Sequence, residues 1–325
     1  MKFFDYRSNS VRLTGRWSYE EDSAVSTACG SKIELVFAGD AIVLHFDMMF
    51  SKFPYPHIWI KVDDGAKIET ALDSYIRIET ESPGKHFVTI VYKSSVEAQH
   101  RWYAPLEGKI AFKGFEAECA EEINPVHRTY IEFIGDSITE GVLVDENHVF
   151  YKTSEYDNRV MQDDSTATYA YLTAKWLGLE PLIMGYGAVG LTRSGKGSVP
   201  KAACAYPYCY DGKPTSMPEP KYIVINHGAN DTCASVESYL VEYGKLLDMI
   251  RHKHPKAMVI ALEPFCGWCR ESLGDFIQDY SEKNEAAVLY IGTKNWVSPE
   301  PLHPSRDGHR AIAEKLVERL REIIS

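Results

Sequence analysis

The chain has 325 residues, enough for two domains of ordinary size. Hydrophobic residues make up 45% and charged residues 25% of it, a globular balance that excludes disordered, collagenous and coiled-coil proteins. The net charge of −11 is shared almost equally by the two halves, so neither half offers the basic surface that nucleic acid binding requires, and we expect no nucleic acid partner.

The N-terminal residues are not typical of a secretory signal, because Asp5 and Arg7 precede any long apolar run. No apolar run approaches the roughly 18 residues of a membrane span. Seven cysteines, an odd number spread over a long chain, argue against a disulfide scaffold. We therefore expect a cytoplasmic protein with reduced thiols and no membrane partner.

Strand-like patterns dominate the first third of the chain. Short runs that alternate in hydrophobicity or are rich in β-branched and aromatic residues are separated by the turn signals Gly39-Asp40, Asp64-Gly65 and Pro83-Gly84. The predicted strands are residues 33–37, 41–46, 57–62, 75–78, 86–92 and 109–115. With no helical stretch between them, they predict an all-β antiparallel sandwich.

After Pro125 the pattern changes to alternating strands and helices, which predicts an α/β sheet. The predicted strands are residues 130–134, 182–184, 222–226, 258–262 and 288–291, and the predicted helices are 166–177, 236–252, 273–287 and 306–324. Residues 142–164 and 192–220 are interpreted as long loops, which in compact domains are often functional. The predicted domains are residues 1–124 and 125–325.

Four short motifs follow the predicted strands of this second part. Ser137 comes directly after the first strand, a glycine-rich stretch at 185–190 after the second, and Asn230 after the third, while His303 precedes the final helix. Ligands of open α/β sheets bind at the carboxyl ends of the strands, so these residues should meet in one crevice. Any one of them alone could be an ordinary turn or loop residue.

In order and spacing, the four motifs resemble the GDSL-type, or SGNH, hydrolases over about the last 200 residues. The resemblance implies a flavodoxin-like sheet, with Ser137 as nucleophile and His303 as its base. It assigns the oxyanion donors to the backbone N–H groups of Ser137 and Gly190 and the side-chain amide of Asn230; Gly187 is the alternative to Gly190. Such donors commonly contribute about 3–4 kcal/mol each to transition-state stabilisation.

The third member of the catalytic set is left open by the sequence. The family usually places an aspartate three residues before the histidine, where this chain has Glu300. Glu300 could orient His303, or it could face solvent while a backbone carbonyl orients the ring. Asp307 and His309 form a competing pair, but His309 would lie inside the final helix. Asp136 is expected to make structural hydrogen bonds beside the nucleophile.

Two further groups of residues are candidates for ligand contacts. Cys266 and Cys269 have C-x-x-C spacing, and Cys204 with Cys209 could complete a zinc site, but the second spacing suits zinc poorly. We expect free thiols, no metal and no cofactor. The aromatic side chains that could stack on a sugar, or simply pack within loops, are Trp268, Tyr206, Tyr208 and Tyr210.

The N-terminal part resembles the jelly-roll domain of carbohydrate esterase family 2, in the domain order and in the segments 15–17, 31–37, 39–40, 62–65, 84–86 and 112–115. That resemblance implies a serine esterase that removes O-acetyl groups from xylo-, manno- or gluco-oligosaccharides, so the partner would be a small acetylated carbohydrate. One alternative is a general short-chain acyl esterase or lipase of the same fold. Another is a carbohydrate-binding protein whose catalysis is impaired by the aspartate-to-glutamate change.

Overall fold

The computed structural model describes residues 1–146, 158–285 and 287–324, and the first of its sheets is antiparallel. Its nine strands are β1 (Lys2–Asp5), β2 (Val11–Thr14), β3 (Ser18–Tyr19), β4 (Ala24–Ser26), β5 (Lys32–Phe46), β6 (His57–Val62), β7 (Ile68–Ala71), β8 (Tyr75–Ser94) and β9 (Ile110–Ala120). Their order is β3-β4-β9-β5-β8-β6-β7, with β1 on β9 and β2 on β5. An all-β N-terminal region is therefore present, while its jelly-roll form stays a prediction.

Two of the predicted strand breaks were wrong. Strand β5 runs through Gly39 and β8 runs through Gly84, and these two glycines are paired with each other. The pairing register of β5 with β8 shifts between Gly39 and Ala41. The residues between these pairs therefore form an irregularity within two continuous strands. Bulges and turns use the same glycine-rich signals, which is why the local sequence could not distinguish them.

The second sheet is parallel and contains β10 (Tyr130–Gly135), β11 (Glu180–Gly185), β14 (Tyr222–Asn226), β15 (Met258–Leu262) and β16 (Val288–Ile291); a separate hairpin consists of β12 (Tyr208–Tyr210) and β13 (Lys213–Pro214). The order β11-β10-β14-β15-β16 is the flavodoxin-like 2-1-3-4-5 arrangement. The two large sheets divide between Ala120 and Tyr130. The exact domain boundary at residue 124 stays a prediction.

The helices are α1 (Ser137–Glu140), α2 (Arg159–Gln162), α3 (Tyr169–Trp176), α4 (Ala202–Ala205), α5 (Val236–Lys253), α6 (Arg270–Asn284) and α7 (Arg306–Ile324), with a 3-10 turn at Ser165–Ala167. Helix α7 buries one face through residues such as Ile312, Leu316 and Leu320. None of the helices in the described ranges is long and apolar enough to cross a membrane.

The predicted loops and helix ends needed correction. The segment 192–220 contains α4 and the β12–β13 hairpin, and the described end of the segment 142–164 contains α2. Residues 147–157 of that predicted loop lie outside the described residues. Helix α6 begins three residues earlier than predicted, directly after Cys269, whose φ of 57° places it in the left-handed region. These short elements are held by tertiary contacts, which local periodicity does not report.

Buried charges join the two sheets. Arg16, in the N-terminal region, lies 2.8 Å from the Glu132 carboxylate on β10, and both side chains are completely buried. Its guanidinium also donates to the carbonyl of Tyr208 and the hydroxyl of Thr215. Tyr206 donates its hydroxyl to the second Glu132 oxygen at 3.0 Å. Glu132 thus has a cationic partner, and Arg16 has its acceptors, only if the N-terminal region packs on the parallel sheet.

Replacing Arg16 by Met should lower the free energy of unfolding by about 3–5 kcal/mol, because it leaves the Glu132 carboxylate buried without its cation. The double variant Arg16→Met with Glu132→Gln should recover part of this loss. Urea unfolding of the three proteins measures the difference. A loss below about 1 kcal/mol in the single variant would show that this pair does not hold the two parts together.

Candidate active site

The ends of three neighbouring parallel strands carry three of the predicted motifs. Gly135, at the end of β10, is paired with Gly185 on β11 and with Asn226 on β14. The chain leaves these strands towards Ser137, Gly190 and Asn230 respectively. The carboxyl edge of the sheet is thus where the motifs leave their strands, as expected for a flavodoxin-like fold.

Ser137 is the first residue of the one-turn helix α1. The side chain of Asp136 caps this helix by accepting a hydrogen bond from Ile138 N at 3.0 Å. Burial, together with the nearby Asp231 carboxylate, raises the pKa of Asp136 to about 7 although that hydrogen bond opposes the shift. Asp136 therefore stabilises the start of helix α1 beside Ser137, and its structural hydrogen bond agrees with the sequence prediction.

His303 lies in the loop between β16 and α7, and its Nε2 is 2.9 Å from Ser137 Oγ. This loop is anchored because Arg306 donates its backbone N–H to Val144 and its side chain to Asp145 and Asp164. Burial lowers the pKa of His303 from its ordinary value of 6.5, so the ring is neutral near pH 7 and can accept a proton.

His309 is not a competing base. It lies inside α7, fully buried, where its Nδ1 accepts a hydrogen bond from the backbone N–H of Tyr169 at 3.1 Å. Burial lowers the pKa of His309 to about 3. The partner proposed for it, Asp307, is exposed.

The predicted oxyanion residues Gly190 and Asn230 lie side by side. Asn230 Nδ2 donates to the carbonyl of Val189 at 3.1 Å, and a Cβ at Gly190 would come within 2.6 Å of Asp231 Oδ1. Asp231 accepts hydrogen bonds from the backbone of Leu191 and Thr192, so it ties the two motifs together. The N–H of Gly190 donates to the carbonyl of Arg193 at 3.1 Å. Its oxyanion role stays a prediction and requires this bond to be shared or exchanged.

Glu300 is exposed, and no hydrogen bond or ion pair joins its carboxylate to His303 within the described ranges. Its main chain instead bonds the Ser298 hydroxyl, which donates to the Glu300 carbonyl at 2.6 Å. Of the two alternatives that the sequence left open, the structure shows the second: Glu300 is exposed to solvent and makes no bond to the ring.

The four aromatic candidates have different surroundings. Tyr206 is fully buried with its hydroxyl on Glu132, so its prediction as a sugar platform was wrong. Tyr210 is half-buried and bonds Glu20 of the N-terminal region, whereas Tyr208 is 37% exposed beside Trp102. Trp268 is half-buried, with its ring centroid 4.8 Å from that of Tyr239. Trp268, Tyr208 and Tyr210 therefore stay predictions.

The cysteines form no disulfide: all seven are free thiols. Cys266 and Cys269 occupy the loop between β15 and α6, and burial raises the pKa of both thiols. Over the part of the chain that the structure describes, no group of three or more His, Cys, Asp or Glu side chains could hold a metal ion.

Sequence reasoning missed the contribution of the N-terminal region to this site. Arg101 pairs with Glu140, three residues after Ser137, and Glu97 pairs with Arg159 and Lys196, whose charges act on the pKa of His303. These partners are distant in sequence and belong to no motif. The one available signal was the presence of charged residues in a segment, 97–101, that the predicted strands left unassigned.

Comparison with known proteins identifies the family of the chain. The model of the GDSL-like lipase/acylhydrolase family matches residues 133–322. The chain is 23% identical over 336 residues to an acetylxylan esterase / glucomannan deacetylase from Cellvibrio japonicus (strain Ueda107), covering 97% of this chain and 89% of that protein.

Solved structures show the same fold over nearly the whole chain. A family two carbohydrate esterase from Cellvibrio japonicus has a TM-score of 0.81 at 20% identity, covering 99% of this chain and 97% of its own. One from Clostridium thermocellum, in complex with cellohexaose, has a TM-score of 0.75 at 21% identity, covering 97% and 99%. An acetyl xylan esterase from the rumen bacterium Butyrivibrio proteoclasticus has a TM-score of 0.77 at 18% identity, covering 99% and 98%.

The family match spans more than half of the chain and includes the serine, glycine, asparagine and histidine that surround the strand ends. The protein therefore belongs to the GDSL-like lipase/acylhydrolase family and is a carboxylic ester hydrolase.

Proposed function

We propose that this protein is a serine esterase that removes O-acetyl groups from acetylated saccharides, with Ser137 as nucleophile and His303 as base. The observation that carries the proposal is the 2.9 Å contact between Ser137 Oγ and His303 Nε2. A serine hydroxyl becomes a useful nucleophile when a neutral imidazole at this distance can take its proton.

The reaction proceeds in two steps. Ser137 Oγ attacks the acetyl carbonyl as His303 Nε2 takes the hydroxyl proton, and the carbonyl electron pair moves to the oxyanion. The Asn230 amide and the N–H of Ser137 are the donors for that oxyanion, with Gly190 as the third candidate. Collapse breaks the bond to the sugar oxygen, which takes the proton from His303. Water then resolves the acetyl-serine by the same relay.

The substrate class is supported by the relatives. The curated relative is named an acetylxylan esterase / glucomannan deacetylase, and the Clostridium thermocellum structure contains cellohexaose. Both resemble this chain over nearly its full length, including the N-terminal region. We therefore assign acetylated xylo-, manno- or gluco-oligosaccharides as substrates.

The wild-type protein should release acetate from acetylated xylo- and manno-oligosaccharides, and Ser137→Ala should lose at least 10³-fold in kcat because the nucleophile is gone. Acetate release is measured beside hydrolysis of p-nitrophenyl esters of increasing chain length. Substantial residual activity in Ser137→Ala would refute the assigned nucleophile.

Preference for longer acyl chains over acetylated sugars would favour the general esterase, and tight glycan binding without acetate release would favour the binding protein.

Glu300→Ala should keep kcat on p-nitrophenyl acetate within about threefold of wild type, since the exposed Glu300 carboxylate makes no bond to His303 in the structure. Glu300→Gln is the matched control, because it preserves the side-chain shape. A loss of 10²-fold or more in both variants would show instead that the Glu300 carboxylate orients the ring during the reaction.

Activity should fall on the acid side with a midpoint below pH 6.5. The base works only when the His303 ring is unprotonated. Because burial lowers the pKa of His303 from 6.5, a lower pH is needed to protonate the ring. A profile of kcat/KM against pH on p-nitrophenyl acetate measures this midpoint. A midpoint above pH 6.5 would contradict the buried, neutral state of the ring.

A further inference from the structure

Glu97 links the N-terminal region to the surroundings of His303. It lies between β8 and β9, is only 6% exposed, and its Oε1 is 3.3 Å from Arg159 NH1 and 3.1 Å from Lys196 Nζ. Arg159 begins α2, and Lys196 lies in the loop that follows β11. One carboxylate from the antiparallel sheet region thus holds cations from two separate segments of the hydrolase part.

The same carboxylate packs into the motif that carries the predicted oxyanion glycine. A Cβ at Gly187 would lie 2.1 Å from Glu97 Oε2, so this position has no room for a larger side chain. Lys196 donates its backbone N–H to the Gly187 carbonyl at 3.1 Å, which closes the loop on itself. Arg101 donates its backbone N–H to the carbonyl of Gly197 at 3.0 Å, so the segment 97–101 also contacts the far end of the loop after β11.

Glu97 is also the strongest charged influence on His303. Burial lowers the pKa of the His303 ring, Glu97 raises it, Arg159 and Lys196 lower it, and Glu146 raises it. Among the described residues, His309 also interacts with His303, and it is buried and neutral. Burial alone would raise the pKa of Glu97, but Arg159 and Lys196 more than offset that effect, so Glu97 is ionised.

We propose that Glu97 is a positioning residue of the active site, which fixes the loop after β11 and offsets the charges of Lys196 and, together with Asp163, of Arg159, so that the His303 ring can carry a positive charge. The role rests on the proposed serine-esterase mechanism. When Ser137 Oγ bonds to the acyl carbon, its proton moves to His303 and creates an imidazolium. Without Glu97, Arg159 would keep its ion pair with Asp163, but Lys196 would lose the carboxylate 3.1 Å from its Nζ, so less negative charge would oppose the imidazolium.

The test is Glu97→Gln in the full chain, with kcat/KM measured against pH on p-nitrophenyl acetate. The variant keeps the side-chain shape and removes the charge, so the acid midpoint should move down by about 0.5–1 pH unit, and kcat on the plateau should fall about tenfold. An NMR titration of the His303 ring in the same variant should give the same downward shift without depending on turnover.

Glu34→Gln is the matched control. Glu34 is equally buried, at 4% exposed, and pairs at 2.7 Å with Arg128 of the segment between the two sheets, but it is not among the strongest charges that act on His303. Its variant should lose stability yet keep the wild-type midpoint. A purely structural role for Glu97 would make the two variants alike, and an unshifted midpoint in Glu97→Gln would overturn the proposal.

Lys196→Gln should shift the acid midpoint in the opposite direction, so it tests the proposal even if Glu97→Gln fails to fold. The Lys196 side chain is 43% exposed, so its replacement should be tolerated, and removing this cation should move the His303 midpoint up. A downward or absent shift in this variant would contradict the assigned charge arrangement. Absence of esterase activity in the wild type, with the NMR shifts intact, would refute the proposed function and leave the charge arrangement standing.

Discussion

The buried ion pair between Arg101 and Glu140 is the interaction on which the site depends most directly. Both side chains are almost completely buried, and Arg101 comes from the N-terminal region, while Glu140 ends the one-turn helix that begins with Ser137. An unpaired charge in such a position costs several kcal/mol, so neither half reaches this arrangement without the other. Together with Arg16 and Glu132, this pair makes the docking of the two sheets a condition for an ordered nucleophile.

A four-residue helix has almost no stability of its own, because nucleating a helical turn fixes several residues for one hydrogen bond. Helix α1 compensates with the Asp136 cap at its start and the Arg101 contact at its end. His303 is similarly fixed from outside its own loop, through the bonds that Arg306 makes to Asp145 and Asp164. The Ser137–His303 contact is thus the meeting point of two short segments, each held by distant residues.

The surroundings of the site set opposite protonation preferences for neighbouring groups. Burial raises the pKa of Asp136 to about 7 and lowers the pKa of His303, so near neutral pH the structure disfavours extra charge at both positions. Such a site favours the neutral ring that accepts the serine proton, and it makes the imidazolium of the reaction costly. The Glu97 carboxylate lowers the free-energy cost of the imidazolium, whereas Arg159 and Lys196 raise it.

The sequence by itself predicted the kind of sheet in each half, the parallel strands near their observed positions, and the meeting of Ser137 with His303. These properties are carried by local periodicity and by short motifs at strand ends, which a reader can recognise without knowing what lies nearby. Only the tertiary structure decided that β5 and β8 are continuous, that Tyr206 is buried, that no hydrogen bond or ion pair joins Glu300 to His303, and that Glu97 and Arg101 pair with charged residues of the hydrolase part. Each of these depends on contacts between residues far apart in the chain, whose burial and charge partners exist only after the two sheets pack together.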